Sequence, residues 1–288
     1  MRKGRKFIGW LFIALTPACS WFDKEEPTPS YITIEPFQVT TDSQEGTAMQ
    51  QLIDGWIFVN GQSLGIYELP VTLPVLESDN VTVRVDPGIK MNGISGERQR
   101  YMFFNYSETT ELLTPGQITT VTPQTTYINN LNFWIENFED PGVKLTAHSS
   151  SEVNVTTTTD AFEGNKSGLL KIPNGNTYAL IQTNENFVLP KLGSPVYLEL
   201  HYKCNNHVNI GVIGNDGQID DYHYTLTVTP TNKDGGAPVW NKIYIYLTEQ
   251  VSSDLDAQNY ELYFEMTKDP DVTDAEFYID NIKLLHLN

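Results

Sequence analysis

From Tyr31 onward the chain alternates apolar and polar residues with a period of two, and Gly, Pro and Asn interrupt the alternation at short intervals. This is the signature of half-buried antiparallel strands joined by tight turns, and residues 47–53 suit a single helical turn at most. The clearest hairpin runs from Trp56 to Tyr67, where Asn60-Gly61 supplies the positive φ angles of a two-residue turn. Val81, Val83 and Val85 then alternate with Thr82, Arg84 and Asp86, which marks a half-buried strand. Beyond Asn129-Asn130 the strands lengthen and the proline-rich corners stop. The pattern there predicts strands at 131–137, 152–157, 168–172, 177–182, 196–204, 207–213, 222–229, 240–247, 259–267 and 276–286. Spacing places Tyr222, Tyr224, Leu226 and Val228 on one face, Ile243, Ile245 and Leu247 on another, and Tyr260, Leu262, Phe264 and Met266 on a third. So many period-two strands require antiparallel sheets packed face to face. The expected fold is all-β, with β-sandwiches at 31–128 and 129–288, the second a jelly roll.

The first 30 residues follow a different pattern. Arg2, Lys3, Arg5 and Lys6 precede the apolar run Phe7 to Leu15, which suits a signal-peptide core and is too short to span a bilayer. Leu15-Thr16-Pro17-Ala18-Cys19-Ser20 follows, and its small residue before a cysteine resembles the lipobox of bacterial lipoproteins, although Thr16 and Pro17 depart from the commonest residues. The resemblance implies removal of residues 1–18, acylation of Cys19 and attachment to the outer membrane through lipid, at roughly 0.8 kcal/mol per buried methylene. An ordinary secretory signal is the other reading. Residues 19–30 form an acidic, extended tether. Within it Asp23, Lys24, Glu25 and Glu26 resemble the surface-export signal of Bacteroidota lipoproteins, which implies a location facing the cell exterior; the same residues also suit a plain solvated linker.

Without residues 1–18 the chain carries 14 basic against 36 acidic side chains, a formal charge of −22. Such a surface disfavours nucleic acid and anionic lipid alike, so membrane attachment has to come from the acylated cysteine. With Cys19 acylated, Cys204 has no disulfide partner, and the fold rests on packing. Cys204 shares a strand face with Leu198, Leu200 and Tyr202, which predicts a buried structural thiol.

Catalytic patterns are weak. Gly61-Gln62-Ser63-Leu64-Gly65 matches G-x-S-x-G, but that serine needs a strand-to-helix turn and here both flanks are strands of one hairpin. His148, His201, His207, His223 and His286 lack the i, i+4 spacing of a zinc hydrolase and are expected on exposed strands. No pair of carboxylates stands out among the 36 acidic residues. The sequence predicts no enzyme.

The Trp56–Tyr67 hairpin, the Leu69-Pro70 and Leu73-Pro74 corner and the following strand resemble PEGA-type and transthyretin-like modules of cell-surface proteins. In the second region Ile135 to Asp140, Gly164 to Ile172, Trp240 and Phe277 to Leu284 resemble galactose-binding-type jelly rolls, which include many carbohydrate-binding modules. Those modules often hold a structural Ca²⁺ through an acid near the first strand and one on the last. Glu139 and Asp280 occupy matching positions, with Asp160 and Glu163 as loop contributors. From the residues themselves, Tyr278, Asp280, Ile282 and Leu284 share a face expected to point inward, where a carboxylate needs N–H donors or a cation.

Two surfaces are candidates for binding. Tyr244 and Tyr246 alternate against Ile243 and Ile245, and with Trp240 they form a platform for a glycan or a face covered by a neighbouring domain. Tyr101, Phe103 and Phe104 offer an apolar surface suited to a protein contact. The expected protein is a non-catalytic, outward-facing outer-membrane lipoprotein that binds a protein partner within an outer-membrane complex. The alternative is a glycan-binding accessory lipoprotein.

Overall fold

The computed structural model describes residues 26–232 and 236–288. Cys19, Asp23, Lys24 and Glu25 lie outside the described residues, and Glu26 is exposed. The first strand set comprises β1 (Ser30–Ile34), β2 (Gln38–Val39), β3 (Asp54–Val59), β4 (Gln62–Glu68), β5 (Val71–Val75), β6 (Asp79–Lys90), β7 (Arg98–Arg100), β8 (Ser107–Leu113), β9 (Ile118–Val121) and β10 (Gln124–Thr125). They pair as β5-β1-β9, as β4-β3-β6 with β7 and β8 both against β6, and as β10-β2. Ile32, Ile34, Ile57, Val83 and Val85 close the core between the two larger sheets. Asn60 and Gly61 turn the β3–β4 hairpin at φ 49° and 77°, so Ser63 lies in a strand and not on a nucleophile turn.

The second set comprises β11 (Leu131–Glu136), β12 (Leu145–Ala147), β13 (Thr156–Thr158), β14 (Ser167–Ile172), β15 (Tyr178–Thr183), β16 (Val196–Cys204), β17 (Val208–Asn215), β18 (Asp220–Val228), β19 (Asn241–Tyr246), the helix α1 (Thr248–Ser253), β20 (Asn259–Thr267) and β21 (Ala275–Leu287). One sheet runs β13-β14-β21-β16-β19, with β11 beside the far half of β21, and the other runs β12-β15-β20-β17-β18. Leu198, Leu200, Ile210, Val212, Ile245, Phe264 and Phe277 fill the space between them. This is an antiparallel jelly-roll sandwich. Cys204 is fully buried in its core, and burial pushes the thiol up to about 12, which leaves it inert. The short strand β12 and the six-residue α1 have no counterpart in the period-two pattern, since neither is long enough to show a period.

Two β-bulges change the faces that simple alternation assigns. The β17–β18 register slips between Ile210 and Gly211, which leaves Thr225 as the extra residue. Leu226 and Val228 therefore point into the core, while Tyr222 and Tyr224 stand on the outer face at 41% and 54% exposure. In β21 a register shift opposite Glu199 and His201, together with left-handed Asn281 at φ 48°, separates core-facing Phe277 and Ile279 from core-facing Ile282 and Leu284. Asp280 accordingly does not share a face with Ile282.

The first strand set covers the outer face of the β16-containing sheet. Tyr197 on β16, Tyr244 and Tyr246 on β19 and Leu285 on β21 meet Leu52, Ile89, Tyr101, Phe103, Phe104 and Tyr127. The Tyr101 ring lies 5.1 Å from Tyr197 and 5.0 Å from Tyr244 in edge and tilted contacts. Two expectations are corrected together here. Tyr101, Phe103 and Phe104 are internal and offer no external protein contact, and Tyr244, at 2% exposure, is no solvent-facing platform. Each apolar surface is buried by the other.

Glu199 sits at the centre of that junction with no exposure. It accepts hydrogen bonds from the Tyr101 hydroxyl at 2.6 Å and from Lys242 Nζ at 3.1 Å, and the Tyr127 hydroxyl lies 3.0 Å from its Oε2. Lys283 Nζ donates to the Thr47 carbonyl at 2.7 Å and to the Tyr127 hydroxyl at 3.2 Å. Burial alone would raise the Glu199 carboxyl; Lys242, Lys283 and the Tyr101 hydroxyl outweigh it and hold the carboxyl below its ordinary range. Burial lowers Lys283 to about 8 despite the pull of Glu199.

Candidate functional site

The outer face of the β12-β15-β20-β17-β18 sheet remains uncovered by the first strand set. Strand alternation brings Tyr178, Leu180 and Gln182 of β15, Glu261, Tyr263 and Glu265 of β20, Asn209, Gly211 and Ile213 of β17, and Tyr222 and Tyr224 of β18 to this side. Its floor is apolar, made of Leu180, Ile213 and Tyr263 with Tyr178 packed against them. Gly211 makes room for the Tyr263 ring: a Cβ there would lie 2.7 Å from Tyr263 Cε1 and 2.2 Å from the His223 carbonyl oxygen. Tyr222 meets Tyr263 at 5.5 Å with the rings 66° apart, and His148 meets Tyr222 edge-on at 6.4 Å.

A chain of hydrogen bonds crosses four strands of this face. The Tyr178 hydroxyl donates to Glu265 Oε1 at 2.9 Å, and Asn209 Nδ2 donates to Glu265 Oε2 at 3.0 Å. The Thr227 hydroxyl donates to Asn209 Oδ1 at 2.7 Å, and the Tyr224 hydroxyl lies 2.9 Å from Thr227 Oγ1. Tyr178 and Tyr224 are thereby fixed at the two ends of one polar ladder. A second row holds Gln182 Nε2 on Glu261 Oε1 at 3.1 Å and leaves the buried Gln182 Oε1 without a partner. Burial raises the Glu261 carboxyl and, with the Glu265 charge beside them, pushes the Tyr178 and Tyr263 hydroxyls up to about 12. Both phenols therefore stay protonated, that of Tyr178 donating to Glu265 and that of Tyr263 available as a donor. Aromatic rings interleaved with carboxylates and amides can hold the C–H face of a sugar and its hydroxyls at once.

Sequence reasoning missed this face. The available signal was the pair Tyr222 and Tyr224 on an edge strand with Tyr263 and Tyr178 two and three strands away, but the pairing order is not legible from spacing and the bulge at Thr225 hides the outward parity. The expected platform is broken up: Tyr244 is internal, Tyr246 packs at the junction, and Trp240 lines a separate cleft from the one that Tyr244 borders.

The proposed calcium ligands do not converge as a set. Asp280 Oδ2 accepts the Phe162 and Glu163 N–H groups at 3.0 and 3.2 Å, and Oδ1 accepts Asn281 N–H at 2.8 Å. Burial nevertheless raises the carboxyl to about 6. Glu139 accepts the backbone N–H groups of Asn165 and Lys166 at 2.6 and 2.8 Å, which hold it below its ordinary range. Asp160 pairs with Lys203 at 2.6 Å. Glu139 and Glu163 line a common cleft. Among the described residues the trio with ligand atoms mutually within 4.8 Å is instead Asp221, His223 and Asp254. His201, expected on an exposed strand, is 2% exposed beneath the first strand set.

No protein-family model matches the chain, and no curated protein matches it in sequence. Among solved structures it is similar to a xylan-binding domain of carbohydrate-binding module family 22, at 20% identity over 54% of this chain and 93% of that one, with a TM-score of 0.38. It is also similar to a family 29 carbohydrate-binding module solved with cellulohexaose, at 14% identity over 55% and 92% of the two chains, with a TM-score of 0.35. A bacteriophage tailspike enzymatic domain is similar at 13% identity over 56% of this chain and 20% of that one, with a TM-score of 0.33.

Proposed function

We propose that this chain is a lipid-anchored, non-catalytic glycan-binding protein whose jelly roll holds a sugar chain across the outer face of its β12-β15-β20-β17-β18 sheet. The observation that carries the reading is the ladder Tyr178–Glu265–Asn209–Thr227–Tyr224, which fixes the exposed Tyr224 beside an apolar floor on which the exposed Tyr222 also packs. A pyranose presents a C–H face to such rings and hydroxyls to the carboxylates, the amides and the unpartnered Gln182 Oε1 between them. The aromatic surface that pointed toward a protein partner is internal, so it lends that reading no support.

Affinity electrophoresis through a panel of soluble polysaccharides tests the proposal. At least one glycan should retard the protein, and Tyr222→Ala or Tyr224→Ala should weaken that binding about three- to tenfold. A panel without retardation counts against the sheet-face site. The anchor has its own test: Cys19→Ser should move the protein from the membrane to the soluble fraction. An unchanged distribution would remove the anchor and leave the sugar site standing.

A further inference from the structure

A second cavity lies where the two strand sets meet, on the opposite side of the jelly roll from the tyrosine face. It has a volume of 380 Å³, within the usual range of small-molecule sites. Phe37, Val39 and the Ala48–Gln51 segment form one wall, and Phe162, His201 and Trp240–Lys242 form the other. Neither strand set could build it alone.

The chemistry of the walls narrows the occupant. His201 stacks on Phe162 with ring centres 3.8 Å apart and planes 12° apart, and Phe162 meets Trp240 edge-on at 6.0 Å. His201 is 2% exposed, the Met49 backbone lies within hydrogen-bonding reach of its ring, and its buried Nδ1 is left without a partner. Burial, reinforced by the Lys242 and Lys283 charges, pushes the imidazole down to about 2, so the ring is neutral at physiological pH. A neutral ring nitrogen donates or accepts according to its tautomer, and a hydroxyl is a group that can answer either. The charge of Lys242 is spent on Glu199, and its side chain is 3% exposed, so nothing in the cleft selects an anion. The exposed Gln51 and Asn241 at the mouth add amide donors and acceptors.

We propose that this cleft is a second ligand site, separate from the tyrosine face, that takes a single pyranose ring with its apolar side against Trp240 and Phe162 and one hydroxyl on His201 Nδ1. The site goes beyond the sheet-face reading and stands or falls apart from it. It depends on contact between the two strand sets, so its ligand also holds them together.

The test is titration of the full chain from residue 20, labelled for imidazole NMR, with the methyl glycosides of glucose, galactose, mannose and xylose. At least one glycoside should shift the His201 ring resonances saturably. Trp240→Ala, with thermal unfolding measured alongside to show that the fold is kept, should weaken that binding about tenfold, and Tyr224→Ala should leave it unchanged. His201→Phe keeps the stacked ring and removes the polar atom; calorimetry should then show a loss of about tenfold. No saturable His201 shift with any of the four glycosides overturns the proposal, as does unaltered affinity in Trp240→Ala or His201→Phe. Failure of polysaccharide binding at the tyrosine face with the His201 shift intact would remove only the sheet-face reading.

Discussion

Replacing Glu199 with Gln should cost about 3–5 kcal/mol of stability, because it removes the carboxylate that acts most strongly on the buried Lys242 and Lys283 ammoniums and leaves only the weaker pull of Glu163 on both and of Glu45 on Lys283. The residue is fully buried and receives the Tyr101 hydroxyl and Lys242, with the Tyr127 hydroxyl beside it, so no solvent can take over its role. The amide would keep the shape and forfeit the charge. Chemical denaturation of the full chain measures the effect. The double variant Glu199→Leu with Lys242→Met should recover much of the loss, since well-packed apolar groups replace a buried pair more cheaply than a widowed charge. A loss under about 1 kcal/mol, the size of an exposed ion pair, would contradict the buried network.

Gly211→Ala should be the second costly change, at about 3 kcal/mol, the upper end for overpacking. The new methyl would lie 2.2 Å from the His223 carbonyl oxygen, which belongs to the neighbouring strand's backbone and cannot rotate away. It would also lie 2.7 Å from the Tyr263 ring, so relief requires either opening the β17–β18 pairing or tilting the ring off the floor of the tyrosine face. Thermal unfolding should show the stability loss, and glycan affinity should fall with it. Unchanged stability would mean that the register at the Ile210–Gly211 slip is not as described.

Both effects arise at places where the one-dimensional pattern ran out. Period-two spacing carried the all-β class, the Asn60-Gly61 hairpin, the inward face of Leu198, Leu200 and Cys204, and close approximations to the strands from 131 onward except at 152–157, where the strand is Thr156–Thr158, and at the unforeseen Leu145–Ala147. It failed at Thr225 and Asn281 because a single extra residue in a bulge inverts every face beyond it, and a sequence shows no gap where that happens. It misplaced Tyr244 for another reason. Alternation tells which residues leave the core of a sandwich but not what lies against the far side, and here the first strand set covers that side with Tyr101 and its neighbours. The tyrosine face needed the strand order β15-β20-β17-β18, a long-range property that brings Tyr178, Tyr263 and Tyr222 together from distant segments.

The bulge at Thr225 also explains how an edge strand serves two purposes. Leu226 and Val228 anchor it to the core, while Tyr222 and Tyr224 are released to the outer face, Tyr224 tied there through Thr227 and Asn209 and Tyr222 packed on the Tyr263 ring. A regular strand would have placed all four side chains on one side, and either the core or the face would have lost its aromatic and aliphatic residues.

The most direct measurement is the affinity of the strongest polysaccharide from the panel for the wild type, for Tyr222→Ala with Tyr224→Ala combined, and for Trp240→Ala, by calorimetry on the same preparations. The tyrosine face predicts that binding falls by about tenfold or more in the double variant and holds in Trp240→Ala, with unfolding unchanged because both tyrosines are exposed. Equal affinity in the wild type and the double variant would contradict it.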